Sequence, residues 1–285
     1  MNLILNTWYD SLRKKVSFFT NSSELFHKKG ESAMSFTVLM YHEFRKRGDI
    51  DVTSPSTISV EQHYQDALPT MLFSYIDDFK EQMMYLKREG YHTLSLQEIE
   101  DFYEKGIQLP EKSVLLTIDD AFQSVYQYAY PILKELQFHA VSFVVLGWLS
   151  NEREPFDPSV SKVMSKQELE EMLDVVELAN HTTNLHKRYP DGTSEMQATS
   201  LQDLKKDLTE CGGYVTCPDV FAYPFGIYAP KDIERLAEAG IKYAFTTVPG
   251  VNTLHTPVLE LHRETVALGC TLEKFKTIVE QGARK

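Results

Sequence analysis

Val114-Leu-Leu-Thr-Ile118 runs without polar–apolar alternation and breaks off at two adjacent carboxylates, Asp119-Asp120. A strand with one face in water alternates, whereas one covered on both faces does not. The run therefore predicts a parallel strand between layers of helix. The rest of the chain repeats the arrangement. Phe36-Thr-Val-Leu-Met-Tyr41 is a buried strand candidate ending at His42, and further strands are predicted at residues 140–146, 175–179, 220–223 and 243–247. Between them, Phe79, Met83 and Leu86 mark a helix that stops near Gly90. Others are predicted at 94–103 after a Ser95 cap, and at 124–136, 166–173, 201–210 and 231–239. Strands alternating with helices predict an α/β fold with parallel strands. Residues 45–70 are polar with little periodicity and are expected to form a long loop.

A length of 285 residues suits one barrel-sized domain, and 42% hydrophobic with 12% aromatic residues can fill its core. The formal net charge of −12 repels phosphate backbones and argues against nucleic-acid binding. Three cysteines, Cys211, Cys217 and Cys270, show neither metal-ribbon spacing nor a disulfide framework. Leu3-Ile4-Leu5 reaches Asp10 too soon for the apolar region of a signal peptide, so the sequence as written shows nothing that directs export. Leu5, Trp8, Leu12, Val16 and Phe19 recur at helical spacing beside Arg13, Lys14 and Lys15. Residues 1–35 are accordingly expected to be a helical extension and linker, docked on its own domain or touching a membrane surface through residues 1–20. Residues 36–285 are expected to be the catalytic domain.

Polar clusters follow several predicted strands: His42, Asp119-Asp120, His181-Thr-Thr-Asn-Leu-His186 and Tyr223-Pro-Phe-Gly226. In parallel barrels the strand C-terminal ends share one face, which carries the active site. A five-residue gap would set two helical histidines about 140° apart, so His181 and His186 must converge from a loop. Two imidazoles and one carboxylate form an open site of the catalytic Zn²⁺ kind, which would also accept Fe²⁺, Co²⁺ or Ni²⁺. Adjacent strand residues face opposite ways, so Asp119 and Asp120 share a site only if the strand ends there and the backbone turns. One carboxylate would then hold metal while the other serves as a base.

Thr117-Ile-Asp-Asp120, His181-Thr-x-x-x-His186 and Ala222-Tyr-Pro-Phe-Gly226 resemble successive motifs of the polysaccharide deacetylase family of carbohydrate esterases. The resemblance runs from about Phe36 to Val266. The histidine gap and the early Val38-Leu-Met-Tyr-His42 look like the circularly shifted subgroup that acts on poly-β-1,6-N-acetylglucosamine. It implies a distorted (β/α) barrel and a metal-dependent N-deacetylase with an N-acetylated carbohydrate as substrate. It further implies Asp119 as general base, Asp120, His181 and His186 as metal ligands, His42 as the acid that protonates the departing amine, and a backbone N–H near Phe225 for the oxyanion.

Three positions depart from the family pattern. Ala121 stands where glycine is usual and would be strained if the turn needs a positive φ. Phe225 replaces a tyrosine. Ala222 stands where many relatives place an arginine that steadies the base, a role Arg263 could fill from another strand. His262 rivals His42 as the acid. Two other functions fit parts of the pattern: a non-haem iron oxygenase shares the ligand set, and a catalytically impaired carbohydrate-binding protein would share the fold.

Overall fold

In the computed structural model, which describes residues 35–51, 56–62 and 66–283, the apolar runs become the strands of a curled sheet. The expected N-terminal extension lies outside the described residues. The chain enters on β1 (Ser35–Tyr41), passes His42 and forms the short β2 (Glu43–Arg45). An excursion carrying β3 (Ser56–Ser59) and β4 (Ala67–Leu68) returns through β5 (Phe73–Tyr75), which pairs in parallel with β2. The segment expected to be one long loop therefore contains strands. They are too short and too exposed to leave a period in the sequence.

Helix Ile76–Arg88, β6 (His92–Thr93) and helix Leu96–Lys105 lead to β7 (Ser113–Asp119). Ser95 caps the second of these helices through a reciprocal bond with Glu98. A π-helical turn, Val125–Ala129, runs into helix Tyr130–Leu136 and on to β8 (Ala140–Val144) and β9 (Ser161–Lys162). Then come β10 (Val176–Asn180), helix Leu201–Gly212, β11 (Cys217–Ala222), helix Pro230–Glu238 and β12 (Tyr243–Phe245). The chain ends on β13 (Val251–Thr253), β14 (Glu264–Thr265) and helix Leu272–Ala283.

The main sheet runs β12-β11-β10-β8-β7-β1, every pair parallel, with β13 antiparallel to the start of β1. Its open side is bridged by residues 261–266. Leu261 exchanges backbone bonds with β12 and its flank (Thr246 N–H to Leu261 O, 2.8 Å; Leu261 N–H to Ala244 O, 2.9 Å), and β14 pairs in parallel with β1. This makes a distorted (β/α) barrel.

Alternate residues fill its interior: Phe36 and Val38, Leu115, Val141 and Phe143, Ala179, Val220 and Ala222, Tyr243 and Phe245, and Leu261. The intervening residues, such as Leu39, Tyr41, Leu116, Ile118 and Leu178, join the outer core under the helices. Because side chains repeat every two residues along a strand, continuing the inner rows upward leads to His42, Asp119, His181 and Arg263.

Candidate active site

Asp119 ends β7 on the inner row, and the strand stops there. Asp120 and Ala121 both take left-handed backbone conformations (φ 69° and 55°), and the Asp120 N–H is anchored on Phe143 O at 3.0 Å. This turn brings two carboxylates that strand geometry would set on opposite faces into one cavity of about 160 Å³. Ala121, fully buried, occupies the strained position expected of a glycine.

His181 and His186 arrive on a loop whose orientation is set in part by a side chain distant in sequence. Asn180 Oδ1 accepts the Thr182 N–H (2.9 Å), while Asp207 accepts from Thr183 N–H (2.8 Å) and Asn184 N–H (2.7 Å). Asp207 sits on helix Leu201–Gly212 and carries no sequence signal for this duty. Thr182 takes φ 76° at the start of the loop. Asp120 Oδ1 then lies 3.6 Å from His181 Nε2 and 3.5 Å from His186 Nε2, with the two Nε2 atoms 3.1 Å apart.

His181 Nδ1 lies 2.8 Å from Ala222 O, to which it donates, so its Nε2 carries the lone pair that faces the cluster. Asp120 Oδ1 is buried with no hydrogen-bond donor. A buried orphan acceptor beside two imidazole nitrogens is costly without a cation between them. The three side chains thus form a possible Asp-His-His metal site. The donor set suits a divalent ion with open positions.

Arg263 reaches Asp119 from the closing segment. Its Nη1 donates to Asp119 Oδ1 at 2.7 Å and its Nε to Thr246 O at 2.8 Å, and the side chain is fully buried. Burial works to raise the Asp119 pKa. Arg263 above all, then His42 and His181, outweigh it and hold the carboxyl below its ordinary value. Asp120 goes the other way: burial and the neighbouring Asp119 push it well up. Two carboxylates in one site thus receive opposite electrostatic settings. His42 Nε2 lies 3.7 Å from Asp119 Oδ2. Burial lowers the His42 pKa to about 4, against the pull of Asp119 and with help from Arg263 and His181.

His42, Phe225 and Arg263 line the same cavity as the two aspartates and two histidines; His262 does not. His262 lies instead over Gly250, where a Cβ would meet its ring at 3.0 Å. Phe225 takes φ 59° in the short turn Pro224–Gly226, and its ring centre is 4.4 Å from that of His186. As an early residue of that turn its N–H has no partner within it. Gly226 is fixed by space as well as conformation: at φ +69° an added Cβ would sit 2.0 Å from Thr247 Oγ1. Trp148, which follows β8, packs edge-on against His186 at 4.6 Å. Its place after a predicted strand was the signal that could have singled it out.

Residues 106–244 match the family model described as polysaccharide deacetylase. Curated relatives include the poly-beta-1,6-N-acetyl-D-glucosamine N-deacetylase of Staphylococcus aureus (strain N315), 29% identical over 192 residues, which cover 63% of this chain and 64% of that protein. The protein of the same name from Staphylococcus epidermidis is 26% identical over 220 residues, covering 74% and 72%. The chain thus spans a little under two thirds of the length of the Staphylococcus aureus relative.

Among solved structures, the Streptococcus pyogenes deacetylase PplD in complex with acetate is similar in fold. Its TM-score is 0.69 at 21% identity, covering 87% of this chain and 99% of that one. IcaB from Ammonifex degensii aligns with a TM-score of 0.61 at 25% identity, covering 89% and 98%. His42 and Arg263 fall outside the stretch matched by the family model, yet the barrel brings both to the Asp119 carboxylate. Residues 106–244 thus carry a polysaccharide deacetylase domain, and in motif, fold and site the chain is similar to that family.

Proposed function

We propose that this chain is a metal-dependent N-deacetylase that removes acetyl groups from an N-acetylglucosamine polymer or oligomer, with poly-β-1,6-N-acetylglucosamine the favoured substrate. One observation carries the reading: a carboxylate held ionised by a buried arginine, Asp119 on Arg263, stands beside the Asp120, His181 and His186 cluster. Hydrolysis needs such a spare base, and an iron oxygenase with the same ligands has no use for it. The names of the staphylococcal relatives support the substrate class.

Asp120, His181 and His186 would hold the metal, Zn²⁺ first, with Fe²⁺, Co²⁺ or Ni²⁺ as substitutes. The ion would supply Lewis acidity toward the acetamide oxygen and the attacking water. Asp119 takes the proton that water loses as its oxygen bonds to the acetamide carbon. The Phe225 N–H would donate to the oxyanion that forms. The C–N bond then breaks, and the nitrogen must leave as an amine carrying one more proton. His42 is neutral at rest and so must gain that proton first. Protonated Asp119, 3.7 Å away, is the nearby group that has just acquired one. Passing it through His42 to the nitrogen completes the balance, yielding acetate and a free amine.

The experiment is acetate release from β-1,6-linked N-acetylglucosamine oligomers by chelated protein, with each metal added back under air and under argon. Metal-restored, oxygen-independent release is expected. Tight sugar binding without acetate from any metal form would leave a carbohydrate-binding protein instead.

A further inference from the structure

Among the described charged residues lining the cavity, all but two belong to the buried cluster or its Arg263 partner; the exceptions are Asp66 and Arg188 at the mouth. They come from segments 122 residues apart, the excursion before β4 and the loop after His186. Arg188 Nε and Nη2 donate to Asp66 Oδ2 and Oδ1 at 3.1 and 2.9 Å, a two-bonded fork. Asp66 Oδ1 also accepts the Ala67 N–H at 2.7 Å. The Arg188 side chain is 43% exposed and that of Asp66 18%. An ion pair this open to water contributes little to stability. Its arrangement is nevertheless fixed, because the guanidinium also lies 5.2 Å above the Phe225 ring, which itself packs on His186. The rim is therefore one aromatic ring removed from the ligand cluster.

We propose that Asp66 and Arg188 determine carbohydrate specificity by holding the hydroxyl groups of the sugar whose acetamide enters the cavity. The inference rests on the deacetylase reading above. With the acetamide directed at Asp119, the remaining ring hydroxyls stay at the mouth. A carboxylate there accepts their protons in hydrogen bonds, and a guanidinium donates to their oxygens. Mutual pairing keeps both groups oriented before the sugar arrives. Ile58, Leu68 and Leu72 line the same wall and offer apolar contact to the C–H face of a pyranose.

The test compares Asp66→Asn and Arg188→Lys with the wild type on a β-1,6-linked N-acetylglucosamine tetramer and on 4-nitrophenyl acetate, which has no hydroxyls. Lysine keeps the charge but lacks the planar fork. For the tetramer, KM should rise about tenfold in either variant while kcat changes less than about threefold, the scale of one lost charged hydrogen bond. The ester should be hydrolysed at an unaltered rate, with metal content unchanged. Equal losses on both substrates would show a merely structural pair, and an unchanged tetramer KM in both variants would remove the sugar contact. Either result overturns the rim assignment and leaves the deacetylase reading standing. A wild type that releases no acetate from the tetramer sinks both.

Discussion

The floor and the outer wall of the cavity are built on different terms. The floor carries His42, Asp119, Asp120, His181 and Arg263 on or just beyond the inner strand rows, all buried. The wall is the excursion through β3 and β4, half-exposed and tied to the opposite loop by Asp66–Arg188 and Gln62–Asn184. Left-handed non-glycine residues mark the floor's turns, at Asp120, Ala121, Thr182 and Phe225, and none occurs in the described part of the excursion. Backbone strain is retained only where surrounding structure over-determines it. On the proposed roles, the contrast teaches that bond-breaking groups sit where the scaffold does not yield, while recognition falls to segments that can be altered without disturbing them.

That division breaks most sharply at the proposed metal ligands. Asp120→Ala and His181→Ala should each lose stoichiometric metal, measured by elemental analysis after dialysis, together with all turnover. Retention of both metal and turnover in the two variants would place the chemistry elsewhere. Next in size, Asp119→Asn should keep the metal yet slow turnover by on the order of 10²–10⁴. It should be slow on amide and activated ester alike, because both need an activated water. His42→Ala should be slow on the amide but largely spared on an activated acetate ester, whose leaving group needs little protonation. Should His262→Ala show that selective defect instead, His262 is the acid.

Arg263→Met tests how far the floor depends on pairing. It strands a buried Asp119, and denaturant unfolding at neutral pH should show a loss of about 3–5 kcal/mol. Arg263 depresses the folded-state pKa of Asp119. Its contribution is thus fully present above the unfolded carboxylate value of about 3.9 and fades as pH falls through the folded one. The gap between wild type and variant should narrow in acid, and the acid limb of the variant's activity profile should move to higher pH. The smallest effect is expected for Ala121→Gly, where relief of the left-handed conformation opposes lost chain rigidity and a lost methyl contact. Stability should change by no more than about 1 kcal/mol, with turnover kept.

The same contrast explains what could be read in advance. β1, β7 and β8 are covered on both faces, so their apolar runs declared the parallel sheet, and the polar residues at the ends of β1 and β7 declared part of the site. Asp119 with Asp120 was legible because adjacent carboxylates after such a strand have few other uses. Ala121 stood out because it departs from the glycine usual in the resembled family, and the turn that unites the pair gives it the positive φ that makes it strained. The strands of the excursion, two to four residues long, left no period to detect. Asp207, Asp66 and Arg188 were invisible for another reason: each acts through a partner far off in sequence, and nothing local distinguishes it from a solvated charge.

Arg263 belongs to the segment that joins the two edges of the sheet, so closing the sheet also delivers the guanidinium to Asp119. A molecule whose edges have not met still owns its carboxylates and imidazoles, but its base has no counter-charge and remains open to protonation. Misassembled copies should therefore lose activity first on the acid side, where an unpaired Asp119 is protonated. In refolding, acetate release should return in step with the slowest closure of the sheet, making catalysis its own certificate of a finished barrel.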